Sequence, residues 1–147
     1  MSTKFQLEIL NEHNRLRAQH SAPPLALSQP LCSYSQEWAQ TIASRNKLQH
    51  RSERKYGENL YACFGKTAIS GADAVQSWYQ EKKDYTFGQS DPGNNFSKVG
   101  HFTQVVWKAS RELGVGMAVN GSNVYVVCNY DPAGNYKNQY AANVTPT

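Results

Sequence analysis

Apolar residues recur at helical spacing from the start of the chain, where Phe5, Ile9, Leu10 and Leu16 fall on or beside one face. Thr3-Lys4-Phe5-Gln6 reads as a capping box that opens this helix. Pro23-Pro24 must end it, because neither proline can extend a helix and Ala22 is pushed away from helical ψ. A second helix opens at Ser28 with Pro30 in its first turn and carries Leu31, Trp38, Ala39, Ile42 and Ala43 at the 3.6 period. Residues 46–57 have no period and carry charge. Ser70-Gly71-Ala72-Asp73 is another capping box, and the helix it starts presents Ala74, Trp78 and Tyr85 in one row. Residues 86–98 form a long polar loop, and residues 101–109 have helical spacing in Phe102, Val105, Val106 and Ala109. Two short β-branched runs, 115–119 and 124–128, flank Asn120-Gly121, which predicts a hairpin; a further strand is expected near 59–64. Asp131-Pro132-Ala133-Gly134-Asn135 reads as a turn. Helices followed by a hairpin predict a layered α+β fold, and 147 residues without repeat or linker predict one domain over 1–147.

Composition narrows the class. Hydrophobic residues are 39% and charged residues 18%, with nine tyrosines making up part of the shortfall, so the chain reads as polar, aromatic-rich and globular. No stretch approaches 18 apolar residues, which excludes a membrane-spanning helix. No apolar run follows Lys4, so no signal peptide is expected, and Ser2 stands where N-myristoylation requires glycine. Cys32, Cys63 and Cys128 allow at most one internal disulfide. Two readings stay open: thiols in a reducing compartment, or a secreted protein whose signal has been removed. The sequons at Asn95, Asn120 and Asn143 keep the second alive.

Charge gathers in one place. Arg45, Lys47, Arg51, Arg54 and Lys55 face a single acid, Glu53, within eleven residues, which equals the +4 of the whole chain. This is either a solvated loop or a rim for anionic lipid headgroups. Nucleic acid is not expected, because no nucleic-acid motif is present and aromatics do not interleave with the basic residues.

Four residues invite chemistry. Glu81 falls on the apolar row of its helix, where a carboxylate is costly unless paired. His101 is expected at the mouth of a helix after the long loop, and His50 and Glu58 flank the charged segment. Two imidazoles and two carboxylates suit a divalent cation such as zinc. Their spacing forms no local ligand motif, so four separately satisfied polar residues are the competing reading.

Longer motifs add a resemblance that favours the shared site. The segment from Gly100-His101-Phe102-Thr103-Gln104 to Ser110 resembles the first signature of the CAP superfamily of cysteine-rich secretory, antigen 5 and pathogenesis-related proteins. The segment from Tyr125-Val126-Val127-Cys128-Asn129 to Tyr136 resembles the second. Gly57-Glu58-Asn59-Leu60, Trp78-Tyr79-Gln80-Glu81 and Asn11-Glu12-His13-Asn14-Arg15 match shorter family motifs. The resemblance implies an α-β-α sandwich in which His50, Glu58, Glu81 and His101 converge on one cleft, with the two histidines as metal ligands. It also implies a departure: secreted relatives carry a Leu-Gly-Cys motif bonded to the cysteine matching Cys128, whereas this chain has Leu113-Gly114-Val115. The missing partner makes the chain most similar to the Golgi-associated, intracellular branch.

Gln104 and Tyr130 are expected in hydrogen-bond networks supporting the scaffold, and Trp78, Trp107 and Tyr136 in the core. The function expected is binding without catalysis: a cation in the His/Glu cleft, and acidic or sterol-like lipids, or a protein partner, at its rim. A homodimer stays open, and so does a peripheral place on Golgi or other membranes. The alternative is a zinc-dependent hydrolase or protease, with Glu58 or Glu81 as general base for a bound water. In a nucleophilic version of it, Cys63 is the nearest candidate.

Overall fold

The computed structural model describes residues 3–147; Met1 and Ser2, the residue that argues against a myristoyl anchor, lie outside the described residues. Helix α1 spans Lys4–Gln19, and Thr3 and Gln6 close the expected reciprocal capping box. Strand β1, only Ala26–Leu27, leads into α2, Gln29–Arg45, which Ser28 caps and Asn46 ends in a left-handed conformation at φ 50°. Strand β2 is Gly57–Cys63, and α3, Gly71–Tyr79, opens on the second capping box. Helix α4 is Phe96–Val105. Strands β3, Glu112–Asn120, and β4, Asn123–Asp131, form the hairpin, and a short α5, Tyr140–Asn143, follows.

The four strands lie in the order β1-β3-β4-β2, with β3 antiparallel to β4, β4 antiparallel to β2 and β1 parallel to β3. Strand β4 is interior and covered on both faces, which explains its unbroken apolar run. Val126, Cys128 and Tyr130 enter a core shared with Ile9, Trp78 and Phe102. Tyr125 and Val127 face α2, with Ala39, Ile42 and Leu60. Helix α2 packs on β3 and β4, while α1 and α4 reach β3 and β2 and α3 joins them, giving the α-β-α sandwich. Contact with α2 is so close that a Cβ on Gly116 would stand 2.5 Å from the backbone nitrogen of Gln36. Cys32 and Cys128 are buried and Cys63 is half-buried, and all three are free thiols.

Three expectations are corrected. The third helix stops at Tyr79 and tightens into a 3-10 turn, Gln80–Asp84, so Glu81 leaves the apolar row of Ala74 and Trp78 and turns toward α4. Helix α4 begins five residues before His101, inside the segment expected to be loop, so His101 lies mid-helix. It begins from a 3-10 turn, Gly93–Asn95, without a side-chain cap, and its first three residues, Phe96, Ser97 and Lys98, are exposed, which hides the period. Tyr136 is 52% exposed and not core, because the turn after β4 carries it to the surface; Trp78 and Trp107 are buried as expected.

Candidate functional site

Two histidine–carboxylate pairs come from four separate parts of the chain. His50, in the loop before β2, places Nδ1 2.8 Å from Glu58 Oε1, and the same oxygen accepts the Arg51 amide at 3.1 Å. Glu58 projects from the start of β2 with its side chain only 5% exposed. His101 places Nδ1 2.8 Å from Glu81 Oε2, and Glu81 Oε1 accepts the amides of His101 and Phe102 at 2.9 and 3.1 Å. Hydrogen bonds from α4 thus offset the cost of the carboxylate that the sequence places among apolar neighbours.

His50, Glu58 and His101 line one cleft of about 200 Å³, with Asn59, Phe96 and Asn135; Glu81 lies behind His101, against the helix. A carboxylate accepts, so each pair fixes a proton on Nδ1 and leaves Nε2 as the ring nitrogen available to the cleft. The rings differ in support. His50 is exposed, whereas His101 stacks on Trp78 with centroids 6.5 Å apart.

A wider groove of about 380 Å³ continues the cleft past Arg54, Tyr56, Gln104 and Tyr136. Gln104 lines this groove and also fastens its wall, accepting the Gly134 amide at 2.9 Å and donating to Ser110 Oγ at 3.1 Å. Asn135, held at φ 65°, accepts from Thr103 Oγ1 at 2.5 Å and donates to the Gly100 carbonyl at 3.0 Å. Tyr130 is fully buried beneath the cleft, where its hydroxyl donates to His13 Nε2 and accepts from Asn59. Burial raises the Tyr130 phenol well above its usual range and pulls His13 down to about 4.

The basic cluster divides. Arg54 and Lys47 are exposed, and Lys55 stands over the Tyr56 ring at 5.5 Å. Arg45 lies over Trp38 at 5.7 Å. Arg51 folds inward, 2.7 Å from Glu37 and 3.9 Å from the centre of the Tyr34 ring, so its charge serves the loop. Cys63 ends β2, away from the residues lining the cleft. Among the described residues, no helix is long and apolar enough to cross a membrane.

Sequence reasoning passes over Asn59, Phe96 and Asn135. Asn59 stands in the Gly57-Glu58-Asn59-Leu60 motif and Asn135 in the expected turn, so both carry a signal. Phe96 carries none, since the start of its helix reads as loop.

Comparisons with known proteins agree with this fold. The Golgi-associated plant pathogenesis-related protein 1 of Homo sapiens is 38% identical over 152 aligned residues, covering 99% of this chain and 95% of its own. The Secreted protein RBT4 of Candida albicans is 41% identical over 140 residues, covering 90% of this chain but only 36% of its own, so the chain spans about a third of that relative. Relatives thus include both secreted and Golgi-associated proteins. Among solved structures, BmVAL-1 superimposes with a TM-score of 0.77 at 22% identity, over 94% of this chain and 81% of its own. NaASP2 with Zn2+ does so at 0.75 and 24% identity, over 100% and 87%. The family model for the cysteine-rich secretory proteins matches residues 10–130, and the chain belongs to this CAP family.

Proposed function

We propose that this CAP domain is a non-enzymatic binding module whose cleft holds a divalent cation through Nε2 of His50 and Nε2 of His101. The observation that carries the reading is the pair of dyads: two imidazoles line one cleft, each with Nδ1 engaged by a carboxylate. A carboxylate on the far nitrogen orients a ligating histidine and raises its basicity. The protein would supply two ring nitrogens, and among the described residues no group of three or more His, Cys, Asp or Glu is gathered for a metal. Zinc or a similar ion would complete its shell with water or a ligand oxygen. The structural neighbour NaASP2 was crystallised with Zn2+, which supports the choice of ion.

Binding is favoured over hydrolysis because Glu81 is committed through both oxygens, Oε2 to an imidazole and Oε1 to two amides, behind His101, while Glu58 gives Oε1 to the His50 ring and the Arg51 amide. The exposed cations Lys47, Arg54 and Lys55 supply a rim for acidic lipid headgroups, which accords with a peripheral place on a membrane; one relative is named Golgi-associated.

Zinc titration by calorimetry tests the cleft. His50→Ala and His101→Ala should each weaken binding at least tenfold, and a single variant that keeps wild-type affinity overturns the shared site. Vesicles containing phosphatidylserine test the rim. Replacing Lys47, Arg54 and Lys55 by Gln should release the protein while leaving zinc binding intact. Arg51 is spared in that variant because it is folded onto Glu37 and Tyr34. High salt should also release the wild type, as the Debye length falls from about 10 Å at 0.1 M to about 3 Å at 1 M. Salt-resistant binding would refute the rim.

A further inference from the structure

We infer that Asn59 is a positioning residue that sets the place of His101 opposite His50, and that Tyr130 and His13 fix the direction in which Asn59 acts. The inference rests on the cation-binding reading of the cleft. Its basis is a chain of buried hydrogen bonds whose every donor is determined. The Ile9 carbonyl can only accept, so His13 Nδ1, 2.9 Å away, carries its proton and His13 Nε2 must accept. Tyr130 therefore donates its hydroxyl hydrogen to that nitrogen across 2.7 Å. With its proton engaged, the hydroxyl can only accept from the next partner, which is Asn59 Nδ2 at 3.2 Å. The second hydrogen of the same amide goes to the His101 carbonyl at 3.1 Å.

This order removes the usual ambiguity of an amide. If Asn59 were flipped, its oxygen would face the Tyr130 lone pair and the His101 carbonyl, and both bonds would become repulsions. Asn59 is 2% exposed, and Tyr130 and His13 are fully buried, so water does not offer an alternative partner at low cost. The amide is thus locked with its nitrogen toward α4.

The consequence for the cleft lies in where Asn59 stands. Its neighbour on β2, Glu58, holds the His50 ring, while Asn59 holds the backbone of His101. Two adjacent residues of one strand therefore hold the two histidines, one by its ring and the other by its backbone carbonyl. Glu81 fixes the rotation of the His101 ring from behind, but its own bonds run to α4, whose His101 and Phe102 amides it accepts, and not to the sheet. Asn59 is the described side-chain link between the sheet and the carbonyl of that histidine. A two-point cation site depends on the separation of its ligands, and β2 supplies the gauge.

Two variants test this, each titrated with zinc by calorimetry and with Co2+ as a spectroscopic probe. Asn59→Asp preserves shape but puts oxygen where a donor is required, and Tyr130→Phe preserves the ring but removes the acceptor that orients the amide. Neither side chain is a proposed metal ligand. We expect zinc affinity to fall about tenfold or more in Asn59→Asp, the usual scale for the partners behind a metal ligand. Tyr130→Phe should lose severalfold, and in both the visible absorption of the bound Co2+ should shift, since its ligand geometry changes. A Thr3→Ala variant, which loses the α1 cap away from the cleft, controls for stability and should keep the wild-type spectrum. If wild type binds zinc and a folded Tyr130→Phe matches it in both affinity and Co2+ spectrum, the positioning role is overturned and the cleft reading survives. If wild type binds neither ion, the cleft reading fails and this inference falls with it. Should Asn59→Asp not fold, the Tyr130→Phe comparison decides alone.

Discussion

Arg17 has no exposed surface and, among the described residues, no acidic partner. Its guanidinium instead donates to four backbone carbonyls: Nε to Pro23 at 2.8 Å, Nη1 to Val105 at 3.0 Å and Trp107 at 2.9 Å, and Nη2 to Ser110 at 3.1 Å. Val105 is the last residue of α4, so the cation sits where that helix leaves carbonyls unpaired and its dipole is negative. Burial pulls the guanidinium down to about 10, and it stays charged at neutral pH. Arg17→Met keeps much of the side-chain volume and removes all four bonds. The Trp107 carbonyl retains the Ser110 amide at 3.2 Å, which leaves the carbonyls of Pro23, Val105 and Ser110 without another described partner. Each orphaned buried group costs about 1–3 kcal/mol. Relief of the buried charge returns roughly 3 kcal/mol, judged from the depressed titration at 1.36 kcal/mol per pH unit. The balance predicts a net loss of about 3 kcal/mol, a large share of a typical stability of about 5–15 kcal/mol. Urea unfolding at pH 7 measures it. With a slope of about 1–3 kcal/mol per molar, the midpoint should fall by about 1–3 M at unchanged slope. Arg17→Lys, a point charge without the fork, should fall between the two. A Met variant within 0.5 kcal/mol of wild type, a margin of about the scatter between independent sites, would refute the reasoning. The four bonds would then do no more than offset the cost of burying the charge.

Acid should weaken the fold through His13, whose two nitrogens are both taken, one donating to Ile9 and the other accepting from Tyr130, so that a second proton has no site. Its folded value of about 4 lies below the roughly 6.5 of an unfolded imidazole, so the unfolded state gains the proton first. Stability is therefore complete above about pH 6.5 and should drop by about 2–3 kcal/mol by pH 4.5. His20, also lowered by burial, adds in the same direction; urea midpoints that rise on acidification would contradict this. Gly116→Ala should cost about 1–3 kcal/mol by pressing α2 off the sheet, because the new Cβ meets helix backbone, which cannot rotate away. Calorimetric melting checks it at about 2–4 °C per kcal/mol, and an unchanged melting temperature would mean that α2 does not rest on β3.

How much of this is legible in the sequence depends on which atoms carry the information. The caps at Thr3, Ser28 and Ser70 are read from neighbours three residues apart, so the sequence alone places them. Helix α4 lacks such a cap and opens with exposed Ser97 and Lys98, so its first turn looks like loop, and Phe96 vanishes with it. Glu81 shows the middle case. A carboxylate among apolar neighbours signals a partner, but that partner lies 20 residues on, and only the 3-10 turn aims one at the other. The four cleft residues have no local motif for the same reason, and longer signatures join them only through resemblance.

Helix α1 shows a harder limit. Its buried face is Ile9, His13, Leu16 and Arg17, with His20 beyond the end, a spacing that is fully helical but largely polar. A search for apolar periodicity finds Ile9 and Leu16 on that face, places Phe5 and Leu10 on or beside it, and passes over His13 and Arg17. The partners that make burial tolerable are mostly backbone carbonyls: Ile9 for His13, Thr145 for His20, and four for Arg17. Every residue has a carbonyl, so no composition or motif marks the ones that will be left unpaired. They become special only when α4 ends beside α1 and the tail returns past His20. The same holds for Asn59, whose ordinary amide acquires a direction only from a tyrosine 71 residues away and a histidine on another helix. Side chains that serve a local turn are visible in sequence, whereas side chains that serve backbone made available by the fold are visible only in structure.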